Sequence, residues 1–129
     1  MAEAHIKGFY FLLTDGGIVL DDAESPNFAV LPRTVGYADP GASERETLEG
    51  SPDGVVITVQ TTCIGDTREQ AGLELDKVRE LVENKRPSVV GWVCTRVENL
   101  FSNLPRRDDD VDPAVFYAVA TWRFTAVPA

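Results

Sequence analysis

Between Val55 and Cys63 the chain alternates. Val55, Ile57, Val59 and Cys63 hold odd positions, while Thr58, Gln60 and Thr62 hold even ones. A period of two predicts a strand with one buried face and one wetter face, broken by Gly65. The period then lengthens. Ala71, Leu75, Val78 and Val82 recur at steps of four, three and four, with Leu81 widening the stripe. Arg68, Glu74, Asp76, Lys77, Arg79, Glu80 and Glu83 fill the remaining positions. This predicts a helix over 67–84 that lays one apolar stripe on a sheet. Asp66 or Thr67 is placed to cap its start, with Glu69 and Gln70 completing a capping box. Lys85 and Arg86 suit the negative end of its dipole, and Pro87 stops it.

Two more runs read as strands. Val89 to Glu98 is rich in β-branched and aromatic residues. Val115 to Val127 sets Phe116, Ala118, Ala120, Trp122 and Phe124 on one face and Tyr117, Val119, Thr121 and Arg123 on the other. Both faces carry apolar area, so this strand is expected to lie centrally or under a partner. The N-terminal third is less periodic. Ile6, Phe9, Tyr10 and Leu13 fit a short helix ending at Thr14, followed by a strand near Ile18–Leu20, although FYFLLTDGGIVL also fits a hairpin. Phe28 to Leu31, closed by Pro32, reads as a short edge strand. The segments 36–54 and 101–113 are polar, rich in turn residues and without periodicity, and read as long loops. The expectation is one domain over 1–129 of the α+β class. It comprises one mixed or antiparallel sheet, a principal helix at about 67–84 and a short N-terminal helix.

Charge narrows the function classes. The net charge is −9, from 21 acidic and 12 basic side chains. Nonspecific DNA binding needs clustered Lys and Arg, and the longest basic runs are only the pairs Lys85-Arg86 and Arg106-Arg107. No nucleic-acid footprint is expected, although DNA can slide past an acidic surface without sticking. No apolar run approaches a membrane span, and the N-terminus lacks the pattern of a secretory signal, so a soluble chain made in the cytoplasm is expected. Cys63 and Cys94, with no C-x-x-C, read as free buried thiols.

Catalytic chemistry finds little support. His5 is the single histidine, which leaves neither a Ser-His-Asp triad nor an H-E-x-x-H site, and it reads as a partly exposed residue on a short helix. Asp108, Asp110 and Asp112 imitate the start of a calcium loop. However, Pro113 stands where glycine is required and Val119 where the bidentate acid is expected. Asp15-Gly16-Gly17 reads as a turn, and Trp92 and Trp122 as core or interface residues. No catalytic residue, metal or cofactor is expected.

Two stretches carry a resemblance. VVITVQTTCIGDTREQAGLELDKVRELV and RDDDVDPAVFYAVATWRF, which lie within residues 55–124, a span of a little over half the chain, resemble the tail terminators of long-tailed (siphovirus-type) bacteriophages, particularly those of actinobacteria. The matching positions are Gly65, Thr67, Glu69, Gln70, Ala71, Asp76, Val78, Arg79, Asp108, Pro113, Phe116 and Tyr117. The N-terminal part departs from the pattern, since no long first helix is legible there. The resemblance implies a structural virion protein, assembled in the host cytoplasm and located at the head–tail junction. It implies a ring, typically a hexamer, that sits on the last tail-tube ring and ends tube polymerisation. The ring would present a docking surface to head-completion proteins while genomic DNA passes through its lumen. Six copies at −9 each would repel that DNA, and a ring needs two different complementary patches per subunit. Expected interface residues are Arg106, Arg107, Asp108, Asp109 and Asp110 in the second loop, and Arg68, Glu69, Arg79 and Glu83 on the helix. The rival readings are another head–tail connector, a small enzyme with an acidic site at Asp108–Asp112, and a monomeric binding module.

Overall fold

The computed structural model describes residues 3–22, 31–38, 43–46, 52–110 and 114–129. Two long strands form its spine, β4 (Pro52–Gly65) and β8 (Val115–Pro128), paired antiparallel from Val55↔Ala126 to Gly65↔Phe116. On the outer side of β4 lie β2 (Arg33–Ala38) and β3 (Ser43–Glu46), and β1 (Leu20–Asp22) pairs parallel with β2. On the outer side of β8, three short strands follow one another along its length: β7 (Arg106–Asp108), β6 (Glu98–Ser102) and β5 (Trp92–Cys94). Two helices, α1 (Glu3–Asp15) and α2 (Arg68–Val82), pack on one face of this mixed eight-stranded sheet. The α+β expectation is met.

The core lies between the helices and the spine. Ile57, Val59, Thr61 and Cys63 of β4 meet Ala118, Ala120, Trp122, Phe124 and Ala126 of β8, all buried. From above, α2 contributes Ala71, Leu75, Val78 and Val82, and α1 contributes His5, Phe9 and Leu13 at four-residue steps. Each large apolar side chain so buried stabilises the fold by about 1.5–3 kcal/mol. Thr61 is the polar member of the inward row, and it is satisfied: Trp122 Nε1 donates to its hydroxyl at 2.9 Å.

The caps of α2 follow the sequence. Thr67 is the N-cap and its hydroxyl accepts from the Gln70 amide at 3.0 Å, while the Gln70 side chain reaches back to the Asp66 amide. Gly65 lets α2 start directly over the end of β4, because a Cβ there would stand 2.6 Å from the Ala71 nitrogen. The helix stops at Val82, Asn84 turns left-handed with φ 64°, and its amide donates to Val97 O.

Several expectations need correction. Val89–Glu98 is not one strand. Gly91, at φ 83°, turns the chain into the short β5, and Val97 then leaves the sheet direction to bury itself and pair with Lys85. β-branched residues are used there for packing rather than for a ladder. The segment 101–113 is not wholly loop, since it contains the end of β6 and all of β7. Likewise 36–54 contains the end of β2, all of β3 and the start of β4. These pieces pair through backbone amides, which side-chain periodicity does not register. The N-terminal helix is found, ending at Asp15, and the following strand is Leu20–Asp22. His5 is buried edge-on against Trp92, with ring centroids 4.6 Å apart, because it lies on the same ridge of α1 as Phe9 and Leu13. Glu74, counted among the solvent positions of α2, is only 4% exposed, and Thr34 of β2 donates to its Oε2 at 3.0 Å. The strand expected over Phe28–Leu31 lies mostly outside the described residues, as do Asp112 and Pro113.

Candidate assembly interface

Strand order puts two different surfaces at opposite edges of the sheet. One edge is β1–β2. The other is the row β7–β6–β5. α2 lies between them, and its two flanks make different contacts. Glu74 reaches β2 on one flank, and Arg79 reaches β6 on the other.

The expected interface residues gather on the second side. Arg106–Asp108 are β7, held against Val115–Tyr117 of β8. Arg107 pairs in register with Phe116, whose ring also lies 5.8 Å below the guanidinium of Arg68, so α2 and β7 meet at one corner. Arg107 also reaches Asp109 at 2.6 Å, and Asp108 accepts from the Asp110 amide at 3.0 Å. Arg79 bonds Glu83 and the Ser102 hydroxyl, both at 3.2 Å, and sits 6.0 Å from the Trp122 ring. Arg79 and Glu83 therefore tie α2 to β6 instead of standing free as contact charges. Glu69 and Arg106 are exposed, and neither has an ion-pair partner among the described residues.

The same side also carries exposed apolar groups that the charge pattern does not register. Leu104, between β6 and β7, is 85% exposed. It is held in place: Asn103 donates its amide to Val119 O at 3.0 Å and accepts from Val119 N through its side chain at 2.9 Å. Pro105 lies against Gly72 of α2. With Gly72, Asp76 and Arg79, the Ser102–Pro105 turn borders a shallow cleft. A leucine amid SNLPRR was a legible signal, because an apolar residue in a polar turn has no core to enter.

On the other flank of α2 a second cleft opens between Gly16–Ile18 and Glu74, Lys77, Glu80 and Leu81. Its floor is tight. A Cβ at Gly16 would fall 2.3 Å from Leu81 Cδ2, so backbone and leucine meet directly there. On the nearby strands, Asp21 of β1 and Arg33 of β2 form a two-pronged ion pair that holds the guanidinium above its ordinary pKa.

The sheet face away from the helices has its own character. Register assigns Val35, Tyr37, Gln60, Thr62, Thr121, Arg123, Glu98, Phe101, Val93 and Val127 to it. Phe101, Tyr37 and Val93 are each more than half exposed, and Arg123 is paired with Glu98. Among the described elements both helices lie on the opposite face.

Burial pushes the Cys63 thiol up to about 12 and raises Cys94 as well, so both are protonated and weakly nucleophilic at neutral pH. Among the described residues no three His, Cys, Asp or Glu side chains are grouped to hold a metal, and no helix is long and apolar enough to cross a membrane.

No family model matches the chain, and no curated protein matches it by sequence. Among solved structures it is similar to a chain in the virion of a native gene transfer agent particle. The TM-score is 0.64 at 16% identity, with 92% of this chain and 84% of that chain covered. The shared feature is the fold, along almost the whole length of both.

Proposed function

We propose that this chain is a structural subunit of a phage-like virion, and within it the tail terminator that caps the tail tube as a ring. The observation that carries the reading is the shared fold with a gene transfer agent virion chain over 92% of the sequence. Three features of the chain support it. Two unlike surfaces stand at opposite sheet edges, as head-to-tail closure requires. A sheet face exposing Phe101, Tyr37 and Val93 is suited to a partner. The net charge of −9 repels DNA travelling through a lumen. The partners are then further copies of the chain, typically six in all, the tail-tube protein below and a head-completion protein above, with genomic DNA passing unbound.

The acidic-enzyme alternative gains nothing from the geometry, since Asp109 is turned to Arg107 and Asp108 to the Asp110 amide. The test is native mass spectrometry with negative-stain imaging, on the chain alone and mixed with the tail-tube protein of the same virus. Rings, free or confined to tube ends, are the expected result. Rings that ignore tube ends would move the chain to another connector position, and a monomer indifferent to tubes would overturn the reading.

A further inference from the structure

We infer that the seam between neighbouring copies is made by the Leu104–Arg106 turn of one subunit entering the cleft between Gly16–Ile18 and α2 of the next. The inference rests on the ring reading and names the contact that would close it. The turn is an apolar tip followed by a cation. Leu104 is 85% exposed on a backbone pinned twice to Val119, and Arg106 has no ion-pair partner among the described residues. A rigid, exposed side chain loses little entropy on docking, which is the property of an interface anchor. The cleft is its complement. Leu81 and Ile18 give it an apolar wall, and Glu74, Glu80 and the neighbouring Asp15 outnumber Lys77 around it. Tip and cleft lie on opposite flanks of α2, towards opposite edges of the sheet. One copy therefore offers its cleft while its own tip enters the following copy, a heterologous contact that propagates by rotation.

Cysteine cross-linking tests this directly, because the native thiols Cys63 and Cys94 are buried and protonated. Leu104→Cys and Lys77→Cys both alter exposed positions, so folding should survive them. A short bis-maleimide should join the two variants when they are mixed and should join neither variant to itself. A chain carrying both changes should give a ladder that ends at the ring number. Arg106→Glu should weaken association about tenfold or more, and Glu80→Arg in the same chain should restore it. Self-linking of Leu104→Cys alone would mean a two-fold contact and overturn the inference. Rings seen by native mass with no mixed cross-link would overturn this seam and leave the ring reading standing. A monomeric mass with no cross-link, with and without tubes, would remove both.

Discussion

The two faces of the β4–β8 spine are built from the same two strands, yet they obey different rules. Towards the helices stand Ile57, Val59, Thr61 and Cys63 opposite Phe124, Trp122, Ala120 and Ala118, all closed from water. On β8 the small Ala118, Ala120 and Ala126 flank the large Trp122 and Phe124, and the close packing over this row includes Arg79 of α2 beside Trp122. On the other face Gln60 and Arg123 are exposed, Thr58, Thr62, Thr121 and Thr125 are half-buried, and the apolar groups sit at the margins. β propensity is equal on both faces, since threonine and valine serve a strand alike. What differs is who supplies the covering layer. Among the described residues the helices cover the first face, while the second keeps Phe101, Tyr37 and Val93 more than half exposed.

The largest effect should therefore come from Trp122→Ala. It removes the bulkiest buried side chain, opens a cavity beneath Arg79 and α2, and leaves the Thr61 hydroxyl without its donor. Large-to-small changes of this kind cost about 3–5 kcal/mol, a large share of a small domain's stability. Urea unfolding followed by tryptophan-independent circular dichroism measures it. A loss under about 1 kcal/mol would mean that the helix face is not the closed core described above.

Cys63 sharpens the same contrast by pH. The folded chain holds its thiol proton up to about 12, against an ordinary value of 9.0, chiefly because the site is dry, with the Thr34 hydroxyl only partly offsetting this. Between those values the unfolded chain has released a proton that the folded chain keeps. The stabilising contribution is therefore whole below pH 9 and fades as pH rises towards 12. Unfolding free energy should fall more steeply with pH across that window in the parent than in Cys63→Val. Equal slopes would mean that water reaches the thiol.

The legible parts of the fold are those where one side chain in two or four meets the core. β4, β8 and α2 have that property, and the periodicities of Val55–Cys63, Phe116–Phe124 and Ala71–Val82 locate all three. β3, β6 and β7 do not. They pair through backbone amides along the spine, with Asn99 or Arg107 supplying no inward period. His5 and Glu74 misled for a related reason. Residue type says polar, whereas position on the helix ridge says buried, and a neighbouring ring or hydroxyl makes the burial tolerable. The candidate interface was half legible: the charges of 106–110 and Arg68 fall together at the corner where α2 meets β7. Arg79 and Glu83, however, were committed within the chain, and the exposed Leu104 carried no charge to announce it.

The smallest effect on stability should be Phe101→Ser, and its smallness is the informative part. Phe101 lies on the open face opposite Thr121 and is 56% exposed, so the free subunit loses little packing when the ring is removed. Exposed substitutions of this kind stay within about 0.5 kcal/mol, and the urea midpoint should hardly move. Assembly is a different matter. In the proposed assembly a phenyl ring that is half wet in the subunit would become fully buried under a partner, and that added burial would be absent from serine. The same variant should therefore form fewer rings, or cap fewer tubes, at concentrations where the parent assembles, as native mass and imaging would record. Were Phe101→Ser instead to unfold the free chain as Trp122→Ala does, the open face would be part of the subunit's own core. The two faces would then differ in composition and not in role.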